Sequence, residues 1–360
     1  MSVAVITGSA GLVGSEAARF FADLGFDIVG IDNDMRSAYL GIEGSTLANR
    51  ERLKQDLGSR YSHRNVDVRD NAAIKNLFQR YGNAISLVIH AAAQPSHDWS
   101  LSEPMVDFTV NANGTQSMLE ATRQLAPQAV FIFTSSNKVY GDSPNCLPLL
   151  EMETRWEVDS ANARWEGIDE TLSLDRSLHS PFGASKLAAD VMVQEYGRSY
   201  GLRTVCFRCG CLTGPSQAGT RLHGFLAYLA RCATIGREYV VYGYEGKQVR
   251  DNLHSSDLIK AFHEFYRRPQ SAAVYNLGGG RSSNCSIREA LQLCQEITGR
   301  EAVWRYTAQH RKGDHRWWIT NNAQFMADYP DWRVTLGIRE IMESIFDGNR
   351  EHWEAARTIA

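Results

Sequence analysis

The stretch VAVITGSAGLVG, residues 3–14, decides the fold of this chain. It opens with a short β-branched, apolar run, which predicts a buried strand, and continues with three glycines spaced three residues apart. Apolar side chains then recur at helical spacing up to Gly25, and a second apolar run, residues 26–31, ends at Asp32. This order of strand, glycine-rich turn, helix, strand and acid predicts the first unit of a doubly wound parallel sheet.

The glycine spacing G-x-x-G-x-x-G suits a bound dinucleotide. Gly8 and Gly11 allow a tight turn and a close approach of the backbone to a pyrophosphate. That pyrophosphate would lie at the helix N-terminus, which begins with Leu12 and Val13. Gly14 allows the helix to pack closely on the strand. A turn that merely precedes a helix is the alternative interpretation of the same glycines.

Asp32, at the end of the second strand, favours NAD over NADP. Its carboxylate can accept hydrogen bonds from both ribose hydroxyls and would repel a 2′-phosphate. Asn33 follows it and is assigned to the same pocket. Arg36 lies close enough in sequence to accommodate a 2′-phosphate, so NADP stays open at this point.

The alternation of strands and helices continues along the chain. Further strands are predicted at residues 61–66, 85–90, 130–134 and 203–208, and a helix at 104–125. The fold class predicted is therefore α/β, a Rossmann doubly wound parallel sheet with a smaller α/β substrate-binding lobe. Ligands bind such sheets at the carboxyl ends of the strands.

Composition excludes several classes of function. The chain has 360 residues, is 43% hydrophobic and carries a net charge of −3, with Lys and Arg scattered along it. The chain has no stripe of basic residues that would indicate nucleic-acid binding. It also has no apolar run of about 20 residues that would indicate a membrane span. Seven cysteines without a C-x-x-C pair predict neither disulfides nor a metal site, so a reducing cytoplasm is expected.

The chain resembles the extended short-chain dehydrogenase/reductase family that epimerises or dehydrates nucleotide sugars. The resemblance covers nearly the whole chain, and within the family it is strongest to the CDP-paratose/CDP-tyvelose 2-epimerase branch. The motifs that carry it are Asp67-Val68-Arg69, His90-Ala91-Ala92-Ala93, Asn111 to Thr115, Ser135 to Gly141, Lys186, Val249 to His254 and Asn276 to Gly280.

The resemblance implies a complete NAD site. Asp67 would hydrogen-bond the adenine amine, the small residues after the fourth strand would lie against the dinucleotide, and Lys186 would bind the nicotinamide ribose. The cofactor-binding residues expected are Gly8, Gly11, Leu12, Val13, Asp32, Asn33, Asp67, Val68, Ala91, Ala92, Ala93, Asn111, Thr134 and Lys186.

One position contradicts the family pattern. Family members carry Tyr-x-x-x-Lys, in which the Tyr takes the proton of the sugar hydroxyl, whereas this chain has Phe182 before Lys186. Ser136 matches the residue that hydrogen-bonds the reacting hydroxyl. The acids that follow it in dehydrating relatives are replaced by Asn137 and Lys138, which argues against 4,6-dehydration. The catalytic set expected is thus Ser136, Lys138, Phe182 and Lys186.

Three explanations of Phe182 stay open. Another side chain or a water supplies the base, with Lys138, Cys211, His97 and Tyr140 as candidates. Alternatively, a Tyr was substituted to trap a substrate. In the third, the protein binds NAD and a nucleotide sugar with little turnover.

A second lobe is expected to bind a nucleotide-diphospho-sugar. The residues assigned to the substrate are Gln94, Asn137, Cys211, Gly224, Tyr242, Arg250 and Arg316, with Arg311 as an alternative to Arg316. The arginines would neutralise the phosphates through charge-assisted hydrogen bonds. Residues 1–208 and 250–280 are predicted to form the NAD domain, and 209–249 and 281–360 the substrate lobe.

The insertion at residues 143–179 is long for a connection in such a fold. It carries the pairs Arg155-Trp156 and Arg164-Trp165. It would cover the sugar pocket, brace a neighbouring subunit or pack by cation–π contacts on the surface.

The function predicted is that of an NAD-dependent nucleotide-sugar epimerase acting by transient hydride transfer. A weakly active binding protein and a net nucleotide-sugar dehydrogenase or reductase are the alternatives. The sequence leaves open whether the base is cytosine, uracil or guanine. The family resemblance implies a homodimer formed through the helices at 104–125 and 181–200.

Overall fold

The computed structural model describes residues 2–309 and 313–359, with side chains as far as residue 355. The chain forms two compact units. The first contains residues 2–139, 180–209 and 258–275, and the second contains residues 140–179, 210–257 and those from 276 onward.

The strands in chain order are β1 (Val3–Thr7), β2 (Asp27–Ile31), β3 (Tyr61–Arg64), β4 (Ile85–His90), β5 (Val130–Ser136), β6 (Leu149–Glu151), β7 (Trp156–Val158), β8 (Arg203–Cys209), β9 (Cys211–Thr213), β10 (Tyr239–Tyr242), β11 (Val249–His254), β12 (Ala273–Leu277), β13 (Asn284–Ser286), β14 (Trp304–Thr307) and β15 (Trp317–Trp318).

The α-helices are α1 (Leu12–Asp23), α2 (Met35–Leu40), α3 (Leu47–Leu57), α4 (Asn71–Tyr81), α5 (His97–Ser102), α6 (Pro104–Phe108), α7 (Gly114–Leu125), α8 (Pro181–Tyr200), α9 (Phe225–Ile235), α10 (Ser255–Arg267), α11 (Ile287–Thr298), α12 (Ala323–Asp328) and α13 (Ile338–Ile359).

A seven-stranded sheet organises the first unit in the order β12-β8-β5-β4-β1-β2-β3. The pairs of β1 with β2 and β4, of β2 with β3, and of β5 with β4 and β8 are parallel. From β1, the strands β2 and β3 are added on one side and β4, β5 and β8 on the other, so the strand order switches between β1 and β4. In sheets of this kind, ligands bind at such a switch point. The predicted fold class is confirmed, and the predicted strands agree with the observed ones to within two residues.

The helix predicted at 104–125 is interrupted. Between α6 and α7, the segment Thr109–Asn113 forms a π-helical turn, which is wider than an α-helical one. Asn111 lies in the middle of this turn, and its side chain is bonded to neighbouring elements rather than exposed. Turns of this kind in α-helices often mark functional sites.

Helix α8 contains Phe182 and Lys186, and capping residues define both of its ends. Ser180 caps it by accepting a hydrogen bond from the Gly183 amide at 3.1 Å, and Pro181 occupies the first turn. Gly201, in the left-handed conformation, ends the helix. One face of α8 buries Phe182, Lys186 and other residues in the first unit.

The second unit has its own sheets and core. Strand β11 pairs with β9, β13 and β15, and β10 pairs with β14. Helices α9, α11 and α13 contribute a hydrophobic core that includes Leu226, Leu291, Ile341 and Phe346. Residues 140–179, 250–257 and 276–280, which the sequence assigned to the NAD domain, belong to this unit.

Within the residues that the structure describes, no helix combines the length and apolar character needed to cross a bilayer.

Candidate active site

The glycine-rich turn leaves no room for side chains. Gly8 has φ of +65°, and a Cβ atom there would lie 2.9 Å from the Ala92 amide nitrogen. A Cβ on Gly14 would lie 2.1 Å from the carbonyl oxygen of Gly8. Gly11 caps α1 without a side chain, so the backbone of Leu12 and its neighbours forms the surface at the helix N-terminus. This cradle fits a pyrophosphate.

Asp32 is fixed at the carboxyl end of β2. Its carboxylate accepts hydrogen bonds from the amides of Ala10 at 3.0 Å and Asp34 at 2.9 Å. Arg36 donates from Nε to the carbonyl of Gly44 at 3.0 Å. Burial lowers the pKa of Arg36 to about 10, while Asp32 and Asp34 oppose that shift. The acid therefore stands where a ribose is expected, and the arginine is turned to a backbone carbonyl.

Asp67 and Val68 follow β3 as predicted for an adenine pocket. Arg69 donates to the Asp67 carboxylate at 2.7 Å, and this bond lowers the pKa of Asp67. Asn33 donates to the same carboxylate at 3.3 Å. Val68 is buried, and a Cβ on Gly114 would lie 2.7 Å from it. Asn33 and Asp67, both predicted to bind the cofactor, are thus in direct contact.

His90, at the end of β4, has a structural role. It is fully buried, and its nitrogens bond the hydroxyls of Thr7 at 2.7 Å and Thr115 at 3.0 Å. Burial lowers its pKa to about 3, so the ring is neutral at ordinary pH. His90 thereby fixes the strand end from which the half-buried segment Ala91-Ala92-Ala93 leaves the sheet.

Gln94 and Asn111 belong to one buried network. The Gln94 amide donates to Asn111 Oδ1 at 2.9 Å, and its side chain donates to Asp107 at 2.7 Å. Asp107 also accepts from Ser185 Oγ at 2.5 Å, and Asn111 donates to Ser185 at 3.0 Å. The structure therefore shows both predicted ligand-binding residues holding the loop after β4. Burial raises the pKa of Asp107, a residue that the sequence reasoning missed.

Lys186 reaches the end of β5. Its Nζ donates to the Thr134 carbonyl at 2.7 Å and lies 4.2 Å from the centre of the Phe133 ring. Burial lowers the pKa of this lysine to about 8, with Asp190 the largest opposing influence. Lys186 and Thr134, both predicted to bind the cofactor, are thus in direct contact.

Ser136 is the last residue of β5, and the turn that follows it contains Asn137 and Lys138. Its Oγ accepts a hydrogen bond from the Lys138 amide at 3.2 Å. Asn137 is buried, and its Oδ1 lies 3.5 Å from Ser136 Oγ. Ser136 is half-buried at the strand end. This is the edge of the sheet at which a reacting hydroxyl is expected.

A histidine lies against Phe182. The ring centres of His97 and Phe182 are 4.7 Å apart, with 54° between their planes. Ser180 Oγ lies 3.0 Å from His97 Nδ1. Phe182 is 7% exposed, so its ring is enclosed where the family has a Tyr.

An ion pair beneath the site also escaped the sequence reasoning. Asp190 and Arg208 are buried, and Arg208 Nη2 donates to Asp190 at 2.8 Å. Asp190 accepts from Ser135 Oγ at 2.6 Å as well. The pair ties α8 to β5 and β8. Asp190 follows Lys186 at helical spacing, which was the available signal.

The predicted phosphate-binding arginines have partners within the second unit. Arg250 donates to Asp314 at 2.5 Å and to the carbonyl of Val249 at 2.8 Å. Arg316 donates to the carbonyl of Asn145 at 2.7 Å. Arg311 lies outside the described residues. A phosphate would have to compete with, or add to, these bonds.

The other predicted substrate residues lie at element ends. Gly224 is left-handed, with φ of +79°, and caps α9. Tyr242 ends β10, and its carbonyl accepts from Gln248 at 3.0 Å. Cys211 begins β9, opposite Asn252 of β11. Each is half-buried.

Cation–π packing holds the insertion on the second unit. The guanidinium of Arg281 lies 3.7 Å from the centre of the Trp165 ring, and that of Arg316 lies 5.4 Å from the Trp156 ring. Glu157 accepts from Trp317 at 2.9 Å and from Arg281 at 3.0 Å. Intramolecular cation–π packing of the insertion is thus present, with Arg281 and Arg316 from outside the insertion as the cations.

The fold and the cradle around Gly8 define a dinucleotide-binding enzyme of the short-chain dehydrogenase class. The profile of the NAD dependent epimerase/dehydratase family matches residues 4–278. The chain belongs to this family.

Proteins of known name are similar to this chain over nearly its full length. The chain is similar to CDP-paratose 2-epimerase of Salmonella typhi, with 30% identity over 95% of this chain and 98% of that protein. It is 27% identical to a dTDP-glucose 4,6-dehydratase of Escherichia coli K12, over 94% of this chain and 91% of that one. The solved structure of Thermus thermophilus UDP-glucose 4-epimerase with NAD has a TM-score of 0.75 and 25% identity, covering 97% and 99% of the two chains.

The predictions of this family, of NAD as cofactor and of an epimerase as the class of enzyme are confirmed. When bound, NAD would supply a reversible hydride acceptor. The residues present fit that cofactor. The Gly8 cradle admits the pyrophosphate, and Asp32 presents its carboxylate at the end of β2.

Proposed function

We propose that the protein inverts C2 of a nucleotide-diphospho-sugar, with a CDP-linked deoxysugar as the leading substrate. The likeness to CDP-paratose 2-epimerase along nearly the whole chain carries this proposal. Asn137 and Lys138 support it, since both positions lack the carboxylate that dehydration would use to move protons. Transient oxidation needs only a hydride acceptor, a proton acceptor and room for the keto sugar to turn.

The predicted site residues would have separate roles in binding and catalysis. The carbonyl-bound Lys186 would orient the nicotinamide ribose, and Ser136 would hydrogen-bond the hydroxyl that loses its proton. Arg250 and Arg316 would bind the diphosphate through their guanidinium groups. Gln94 and Asn111 would act indirectly by fixing the loop after β4.

Proton NMR of a panel of CDP-, UDP- and GDP-sugars, incubated with the protein and no added oxidant, tests the proposal. A new anomeric signal from a CDP-sugar is the expected result. Conversion of a UDP- or GDP-sugar alone would reject the assigned base. Replacement of the C6 hydroxymethyl signals by a methyl signal, with formation of a 4-keto sugar, would indicate a dehydratase.

A weakly active protein that binds NAD and a nucleotide sugar is the second candidate. The phenyl ring of Phe182, which carries no exchangeable proton, favours it. Line broadening of the sugar signals without conversion would support this alternative, because it reports binding without turnover.

The protein is also proposed to form a homodimer through α6 and α8. Large apolar side chains stand exposed on these helices: Met105 is 73% exposed, Phe108 45% and Val191 42%. Exposed apolar patches on helix faces commonly mark protein interfaces. Light scattering after gel filtration should give twice the 40.3 kDa of the chain, and a monomer would reject the proposal.

A further inference from the structure

Helix α8 begins with the phenyl ring of Phe182, which cannot exchange a proton. Phe182 lies one helical turn before Lys186 and is 7% exposed. The ring that covers it is the imidazole of His97, whose centre is 4.7 Å away. A titratable ring is thus in van der Waals contact with the ring that replaces the Tyr.

His97 is held by its neighbours in a defined orientation. Ser96 caps α5 by accepting from the Trp99 amide at 3.2 Å, and Gln94 bonds the backbone of Ser96. Ser180 Oγ accepts from the Gly183 amide at 3.1 Å and is 3.0 Å from His97 Nδ1. A hydroxyl has a second lone pair, so it can also accept from a protonated Nδ1. In that tautomer, Nε2 is the basic nitrogen.

Tyr140, another candidate base, and His90, a second histidine at the end of a strand, are both bonded within the protein. Tyr140 is fully buried, and its hydroxyl donates to Asn276 at 2.8 Å. His90 is also fully buried, with both nitrogens bonded to threonine hydroxyls. His97 is half-buried, so part of the residue remains exposed to solvent.

We propose that His97 is the proton acceptor that replaces the missing Tyr, an inference that rests on the proposed epimerase function. As the C–H bond of the sugar breaks and its hydride passes to NAD, the O–H proton moves to Nε2 and the C=O bond forms. The imidazolium keeps its Nδ1–H bond to Ser180. Both steps then reverse on the other face of the keto sugar, so protons and electrons balance without a further reactant.

The first test replaces His97 by Asn, whose amide can still bond Ser180. The variant should lose about 10²–10⁴-fold in kcat, the usual contribution of a general base, with KM changed only a few-fold. His352→Asn, the same change at an exposed histidine of α13, is the control. A kcat for His97→Asn within threefold of wild type would overturn the inference.

The second test restores the family base. Phe182→Tyr in the His97→Asn background should regain at least tenfold in kcat, because the phenol would stand beside Lys186. A variant that had only lost its fold would not be rescued in this way. Failure of the rescue in a protein that still binds NAD and melts as wild type would overturn the proposal.

The third readout needs no turnover. Long-range ¹H–¹⁵N spectra of ¹⁵N-histidine-labelled, NAD-bound protein report which ring nitrogen carries the proton, and His97→Asn identifies the signals. The proposal predicts protonated Nδ1 and unprotonated Nε2 at rest, and the opposite tautomer would contradict it. If the wild-type protein converts no sugar of the panel, the proposed function fails. If it converts one and His97→Asn does so equally well, only this inference fails.

Discussion

The imidazole of His97 covers the phenyl ring of Phe182, with 4.7 Å between the ring centres. The position that lost its hydroxyl therefore lies against another group able to exchange protons. This contact changes how the replacement of the family's Tyr by Phe182 is interpreted. Phe182 need not indicate an inactive relative, since the chain supplies a titratable ring at the same place.

The buried ammonium of Lys186 should be required for turnover. It donates to the Thr134 carbonyl at 2.7 Å, within reach of the expected ribose. Lys186→Met keeps the apolar volume against Phe133 and removes the donor. Loss of one such preorganised donor costs about 10²–10³-fold in kcat, which a coupled or NMR assay would measure. An unchanged kcat would remove Lys186 from the mechanism.

Asp32 should decide between NAD and NADP. Asp32→Ser removes a carboxylate held by the amides of Ala10 and Asp34. Hydrogen bonds to charged groups contribute about 1.5–3 kcal/mol, so the Kd for NAD should rise tenfold or more. Calorimetry with both dinucleotides should show a smaller NAD to NADP ratio. Asp27→Ser, at the opposite end of β2, should leave the ratio unchanged.

Glu157 should stabilise the insertion. It is buried and accepts hydrogen bonds from Trp317 and Arg281. Glu157→Gln should lower the free energy of unfolding by about 1–3 kcal/mol in urea titrations, because it leaves Arg281 without its charged partner. Glu151 pairs with Lys247 but its side chain is 49% exposed, so Glu151→Gln should cost at most about 1 kcal/mol. Equal effects of the two substitutions would contradict this account.

Asp251 should make stability depend on pH. It is fully buried, and burial raises its pKa from 3.8 to about 6. The folded state thus holds this proton more tightly than the unfolded state. Its contribution is complete below about pH 4 and is lost as the pH rises through about 6. At 1.36 kcal/mol per pKa unit, the loss approaches about 3 kcal/mol.

The matched variant is Asp251→Asn, which cannot titrate. Relative to wild type, it should gain stability between pH 4 and pH 7, as measured by urea unfolding at each pH. Parallel stability curves for the two proteins would show that Asp251 stays ionised in the fold.

Local pattern was enough to predict the sheet and the glycine-rich turn before α1. Gly8, Gly14 and Asp32 follow strands whose apolar runs are continuous, so their places in the fold are set by neighbours in sequence. Contacts between distant residues were not accessible in this way. Asp107 meets Ser185 across 78 positions, and no spacing rule connects them.

Residue type alone did not indicate how some predicted site residues are held. Gln94 and Asn111 have side chains suited to ligands, but the structure shows them bonded to the protein. Likewise, the insertion could be recognised by its length, whereas its packing by Arg281 over Trp165 depends on a residue 116 positions away. The His97 to Phe182 contact depends on the path of the loop after β4, which a sequence pattern does not specify.

The measurement that tests the central claim most directly uses CDP-paratose deuterated at C2, incubated in ordinary water with the protein and no added NAD. Hydride removal and return on a tightly held cofactor predict the C2 epimer with the deuterium retained at C2, visible by NMR and mass spectrometry. Epimer formed with loss of deuterium to water, or no epimer at all, would contradict the account.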